Sequence, residues 1–183
     1  IIALGGDTES NPGVQDPLAI RFSSQESLTD WGATATNTAG ELRLGSGSEI
    51  VMAIETRQQV LVFTDESLYA MQYLGPPFTF GVNLVSENVT TMGPLAAIPV
   101  ADTVFWMGLK EFYAYGGTVQ RLPCTVRDYV FDDINLTQRE KIVASSNTSF
   151  SEVWWFYPSA DSEVNNRYVV YNYQQQIWYY GTL

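Results

Sequence analysis

The run Val60-Leu61-Val62-Phe63-Thr64-Asp65-Glu66-Ser67-Leu68-Tyr69-Ala70-Met71 decides the fold. Two apolar segments, rich in β-branched and aromatic residues, flank the polar turn Thr64-Asp65-Glu66-Ser67. That pattern is a β-hairpin. It recurs as Val104-Phe105-Trp106-Met107, the turn Gly108-Leu109-Lys110-Glu111, and Phe112-Tyr113-Ala114-Tyr115. It recurs again as Val153-Trp154-Trp155-Phe156, a polar loop from Pro158 to Asn166, and Tyr168-Val169-Val170-Tyr171. The first strands of these hairpins open at Val60, Val104 and Val153, at intervals of 44 and 49 residues. The second strands begin at Leu68, Phe112 and Tyr168, at intervals of 44 and 56 residues.

Each hairpin is bracketed by two further apolar runs. Ile50 to Ile54, Leu95 to Val100 and Ile142 to Ala144 precede them; Phe78 to Val85, Val119 to Leu122 and Ile177 to Tyr180 follow. Four strands repeating at about 45 residues is the arithmetic of a propeller blade. The expectation is an all-β chain: a partial β-propeller of about three to four four-stranded antiparallel blades. A β-sandwich, whose short strands show no fixed period, is the alternative. A leading pair, Leu18 to Phe22 and Leu42 to Leu44, supplies strands before the first full repeat. Residues 1–15 read as a leading segment, and residues 16–183 as one propeller-like domain, expected to be part of a longer chain.

One stretch departs from strand patterning. Val126, Tyr129, Val130 and Ile134 recur at helical spacing between Thr125 and Asn135, which predicts a short helix between the second and third repeats. Thr125 with Asp128 resembles a capping box, and Thr137 with Glu140 marks another single turn. Asp132 and Asp133 fall at the helix C-terminal end, where the dipole disfavours acids; a solvated end is expected, with contact to a cation or a basic partner as the alternative.

Composition removes whole classes of chemistry. Twenty acidic against nine basic residues give a net charge of −11, the opposite of the basic footprint that coats nucleic acid. Histidine is absent, which excludes imidazole bases, Ser-His-Asp and Cys-His catalysis, and His-ligated metals. The single Cys124 excludes an internal disulfide framework and multi-cysteine zinc sites. The apolar runs are too short to span a membrane as a helix, and residues 1–6 do not read as a signal peptide. Gly45-Ser46-Gly47-Ser48 lacks the lysine of a phosphate loop and reads as a turn. No cofactor and no metal are expected.

Paired carboxylates are the chemistry that remains. Asp65, Glu66, Asp102 and Asp133 are the candidates for glycoside hydrolysis, though the first three occupy turns, where acids are ordinarily just solvated. Leu74-Gly75-Pro76-Pro77-Phe78-Thr79-Phe80 is a rigid turn carrying aromatics. It both blunts a strand edge and offers a contact loop, with Pro76, Pro77 and Phe78 as the candidate contact residues. Tyr157 and Pro158, at the head of the third hairpin's loop, are further contact candidates.

Several stretches, taken in order, resemble a known family. They are Asp16-Pro17-Leu18-Ala19-Ile20-Arg21-Phe22-Ser23 followed by Asp30-Trp31, then Leu42-Arg43-Leu44-Gly45-Ser46-Gly47-Ser48-Glu49-Ile50, the hairpin from Val60 to Tyr69, Met92-Gly93-Pro94, and Val104-Phe105-Trp106-Met107-Gly108. This succession, over residues 16–183, resembles the β-propeller region of short-tailed phage tail nozzle or hub proteins, of the tail tubular or DNA-stabilisation type. The resemblance implies a virion structural protein without catalysis. It implies a homo-oligomer, typically a ring of six, contacting the portal or adaptor and other tail proteins in the virion tail. Genomic DNA would then pass only in transit, through a conduit whose acidic wall repels phosphate. Asp65, Glu66, Asp102 and Glu111 are the turn acids that would face such a channel, and no membrane contact is expected. The competing expectation is a host-surface module that binds glycan or protein through the aromatic loops.

Overall fold

In the computed structural model, which describes residues 1–183, each of the three hairpins lies at the centre of a four-stranded antiparallel meander. The chain is all-β apart from one short helix and two 3₁₀ turns, and none of its sheets closes on itself. Contacts divide it into two units, Ile1–Val89 and Thr90–Leu183.

The first unit opens with β1 (Ile2–Leu4), β2 (Asp7–Thr8), β3 (Asn11–Gln15), β4 (Ala19–Phe22) and β5 (Gly40–Arg43). β1 pairs with β4 and β4 with β5, all antiparallel, while β2 and β3 form a separate small hairpin. Residues 1–15, set apart as a leading segment by the sequence, therefore supply an integral strand. The meander that follows is β6 (Ile50–Glu55), β7 (Val60–Thr64), β8 (Ser67–Gly75) and β9 (Thr79–Glu87). Ile20, Phe22 and Leu44 pack with Val62, Tyr69 and Met71 in one core, the product of period-two alternation on both sheets. Gly40 is fixed by that packing, because a Cβ there would meet the Phe22 ring at 2.7 Å.

The second unit holds β10 (Ala97–Val100), β11 (Thr103–Met107), β12 (Phe112–Tyr115) and β13 (Val119–Leu122). After α1 (Arg127–Asp133) come β14 (Val143–Asn147), β15 (Glu152–Tyr157), β16 (Arg167–Asn172) and β17 (Ile177–Thr182). Side chains of β15 alternate strictly. Val153, Trp155 and Tyr157 are buried in a core with Phe105, Met107, Phe112 and Val169. Trp155 touches the Phe112 and Trp178 rings and donates its indole N–H to the Ala96 carbonyl at 3.0 Å, so its one polar atom is satisfied inside the core. The first strands of the two sheets meet at a parallel bridge between Leu95 and Val143.

The helix sits between the second and third meanders, as its spacing predicts, and buries Val130 and Ile134 in that core. Its start differs from the capping box expected at Thr125. The N-cap is Val126, whose aliphatic side chain has no atom to accept a hydrogen bond, and the Asp128 carboxylate is taken by its neighbour Arg127 at 2.8 Å. The following 3₁₀ turn, Leu136–Lys141, is capped by Asn135, whose side-chain oxygen accepts from the Thr137 amide at 3.1 Å. At the helix C-terminal end Asp133 is ion-paired with Arg167 at 3.1 Å instead of being left to water.

Candidate interaction surface

β8 and β9 are the longest strands of the chain, nine residues each, and the turn that joins them carries a cluster of exposed apolar residues. Phe78 is 73 % exposed, Tyr73 62 % and Leu74 57 %, and Pro76 and Pro77 are exposed beside them. The tip is tied back to the core on one side only. Tyr73 pairs across the strands with Phe80, the rings 5.6 Å apart edge to face, and Phe80 meets Phe22 at 5.0 Å in the same manner. On the other side Leu74 lies over Gly81, whose Cβ would stand 2.6 Å from the leucine Cδ1. Residues 73–80 carry no charge. A groove of about 710 Å³ runs beside Tyr73 and Phe80, walled also by Gln25, Glu26 and Glu55.

A second apolar group lies on the outward face of the β14–β17 sheet. Trp154 and Phe156 point opposite to the buried Val153 and Trp155 and remain partly exposed. Tyr168 lies 5.1 Å from Trp154, Phe156 5.9 Å, and Tyr179 stands edge-on at 6.4 Å. Together they flank Val170, which is fully buried. Glu152 at the margin of this face accepts hydrogen bonds from the Trp154 indole and the Tyr179 hydroxyl. Burial, with Glu152 adding to it, pushes the Tyr179 phenol up to about 12. Trp154 and Tyr179 are absent from the sequence-derived candidates; the i, i+2 alternation in Trp154-Trp155-Phe156-Tyr157 already separates two faces, and it is the signal that finds them.

The turn acids have diverse fates. Asp65 clasps the preceding loop: its carboxylate accepts from the Ser48 amide at 2.7 Å, the Ser48 hydroxyl at 2.5 Å and the Glu49 amide at 3.3 Å. Burial works against the charge, but these hydrogen bonds outweigh it and hold the carboxyl below the usual aspartate range. Glu66, next to it, is exposed. Glu111 is shared between the guanidiniums of Arg127 at 2.9 Å and Arg121 at 3.4 Å, so its charge is neutralised locally. Asp102 is exposed on the β10–β11 turn, whereas Glu111 is on the β11–β12 turn. Those turns cap opposite ends of β11, roughly 15 Å apart for a five-residue strand. Asp102 and Glu111 therefore face opposite ends of one sheet.

The contact candidates also divide. Pro76, Pro77 and Phe78 lie on the surface as expected. Tyr157 and Pro158 do not: both are buried, Tyr157 because it continues the inward alternation of β15 and Pro158 because it sits directly behind it. No helix is long and apolar enough to cross a membrane. No protein-family model matches the chain, and no curated protein matches it in sequence.

Proposed function

We propose that the chain forms consecutive blades of a β-propeller in a virion structural protein, of the nozzle or hub kind found in short phage tails. It acts by contacts with its own copies and with other tail proteins, without catalysis, at the portal end of a conduit for DNA. Two features support the propeller over the sandwich. Each four-stranded sheet is completed before the next begins, whereas a sandwich exchanges strands between its two sheets. And in Thr90–Leu183 neighbouring sheets meet through their first strands, where Ala144 donates its amide to the Leu95 carbonyl at 2.8 Å, as blades do round a common axis.

The observation that carries the assembly reading is the uncharged apolar tip on a chain of net charge −11. Contiguous exposed apolar surface marks a protein contact, and here it is the surface that escapes the general repulsion between copies. Asp65 is ill suited to be the general acid of a glycosidase, since that group has its pKa raised and Asp65 has it lowered. Among the turn acids Glu66 and Asp102 keep the exposure that a channel wall requires.

Electron microscopy of the purified assembly tests this reading. A ring or tapered tube with a central channel is expected, and a discrete monomer overturns it. A host-surface module is the second reading, favoured by the groove where Tyr73 and Phe80 stand beside Gln25, Glu26 and Glu55, an arrangement suited to a sugar ring. Binding of the chain to host envelope glycans, lost in Tyr73→Ala, is the result that would select it.

A further inference from the structure

The chain has eleven tyrosines and a single cysteine, so a covalent tie within it would have to be made from phenols. Two of the tyrosines meet at the surface of the second unit. α1 is seated in the core by Val130 and Ile134, and Tyr129, one residue before Val130, is left 43 % exposed. On β17 the alternation that turns Trp178 toward the core puts Tyr180 on the same side, opposite the buried Val169, where it stays 46 % exposed. The two rings face one another, with centroids 4.1 Å apart and planes inclined by 31°. We propose that this pair is a site of oxidative modification, at which a one-electron oxidant couples the two phenols into an intramolecular dityrosine that ties α1 to β17. The inference is independent of the assembly reading and concerns Thr90–Leu183 alone.

Three observations support the site. The first is access combined with fixed geometry. Both rings are open to a dissolved oxidant, and both are held from behind, Tyr129 by the buried residues of α1 and Tyr180 by the β16–β17 ladder. Holding two reacting groups in contact turns their encounter into an effectively unimolecular step.

The second is selectivity among the phenols. Tyr157 lies within electrostatic reach of both rings but is wholly buried, and its hydroxyl has no hydrogen-bond partner. Burial above all, and then the charge of Asp133, push its pKa upward, so Tyr157 is shielded from the oxidant and keeps its proton. Tyr73 is more exposed than either member of the pair, but the ring it meets is Phe80, which has no hydroxyl to oxidise.

The third is what the bond would join. Tyr129 and Tyr180 are fifty-one residues apart, on the inter-repeat helix and on the last strand. A link between them closes a long loop in the unfolded chain, the restraint that a disulfide gives elsewhere and that one cysteine cannot supply.

The chemistry balances. The oxidant takes one electron from each tyrosine, and each phenol releases its proton. The two phenoxyl radicals form a carbon–carbon bond between ring positions ortho to oxygen. The hydrogens on those carbons then pass to the oxygens, which restores both phenols. Two electrons and two protons leave in all, and hydrogen peroxide accepts them as two molecules of water.

Peroxidase and hydrogen peroxide acting on the full chain at low concentration test the site. A species of monomer size is expected, lighter by two hydrogens and fluorescing as dityrosine, in which peptide mapping joins Tyr129 to Tyr180. Tyr129→Phe and Tyr180→Phe keep the rings and remove one hydroxyl each, and circular dichroism establishes that they are folded. Each is expected to give at least about tenfold less of this product, as is the intact chain oxidised in denaturant, where the rings no longer meet. The joined chain is expected to unfold at a higher denaturant concentration than the untreated one. Free tyrosine coupled in a parallel reaction establishes that the oxidant is active. With that control met, an intact chain that forms no intramolecular dityrosine overturns the proposal. So does product at the intact level in either variant, or a map that joins a different pair. An unfolding midpoint that does not move overturns the tie between α1 and β17.

Discussion

In Ile1–Val89 the loops are tied down by carboxylates, whereas in Thr90–Leu183 packing falls on aromatic rings. Asp7 accepts from the Gly13 amide, Asp16 from Arg43 and the Leu18 amide, and Asp65 from Ser48 and Glu49. All three have their pKa lowered: Asp7 chiefly by the Gly13 amide, Asp16 chiefly by Arg43, and Asp65 by hydrogen bonds that outweigh its burial. In the second unit the shifted groups are chiefly phenols, with Tyr113, Tyr171 and Tyr179 all raised, burial being the foremost cause in each. Two neighbouring stretches of one repeating pattern have thus solved the same problem, fixing turns around short strands, with different chemistry. The difference shows that the repeat specifies strands, while the ends of the sheets are free to specialise.

The sharpest break of this comparison is Trp155→Ala. It removes a fully buried indole, its contacts with Phe112 and Trp178, and its hydrogen bond to Ala96. A loss of about 3–5 kcal/mol by chemical denaturation is expected. Trp154→Ala, one residue away on the opposite face, is expected to cost about 1 kcal/mol, since only part of its surface is covered. Equal costs would mean that both faces of the sheet are core, and the outer face would cease to be a candidate surface.

Next in size is Asp65→Asn, which removes the charge that three donors converge on and is expected to cost about 1–2 kcal/mol at neutral pH. The clasp also sets a direction in pH. The folded-state values of Asp7, Asp16 and Asp65 lie below the unfolded value of 3.8, so their contribution is present above that pH and is lost as pH falls through the folded values. For the raised tyrosines the order reverses: stability is present below the unfolded value of 10.0 and is lost as pH rises through the folded ones. Acid should loosen the first unit before the second, and alkali the second before the first. Four of the five tryptophans, Trp106, Trp154, Trp155 and Trp178, belong to the second unit, so tryptophan emission reports on it. Emission that shifts early in acid, or holds in alkali past the tyrosine transition, would contradict the contrast.

Smaller again is Tyr179→Phe, which leaves the ring and deletes the hydroxyl that Glu152 accepts from. About 1 kcal/mol is expected, together with a reduced loss of stability between pH 10 and about 12. An unchanged alkaline profile would assign that loss to the other tyrosines.

Much of this architecture is legible in the sequence because strands bounded by turns carry a local signal. The hairpin turns at Thr64–Ser67 and Gly108–Glu111, and the meanders around them, follow from apolar runs and their interval. What escapes is what depends on distant partners. β3, Asn11–Gln15, is exposed at every position and shows no alternation to detect. Asp65 looks like a solvated turn acid until the fold brings Ser48 and Glu49 to it, residues far back along the chain. Tyr157-Pro158 reads as turn punctuation because proline ends the strand, yet the same alternation that buries Val153 and Trp155 buries Tyr157. The exposed turn at Pro76–Phe78 was legible because two prolines end the strand and cannot continue it.

The smallest effect is also the one that decides whether the tip is a contact or merely a fold element. Phe78 is 73 % exposed, and the tip's tie to the core runs through Tyr73, Phe80 and Phe22 instead. Phe78→Ser therefore removes little buried area, and folding stability should change by less than about 0.5 kcal/mol. A polar side chain in its place also makes the tip more soluble, so a loss of association in this variant comes from the surface and not from unfolding. A cost above about 1 kcal/mol would mean that Phe78 holds the turn or the packing, since substitutions that touch neither are usually within about 0.5 kcal/mol. Unchanged stability with weakened association leaves the phenyl ring a single role, that of a hydrophobic group held out on a rigid turn for another molecule to cover.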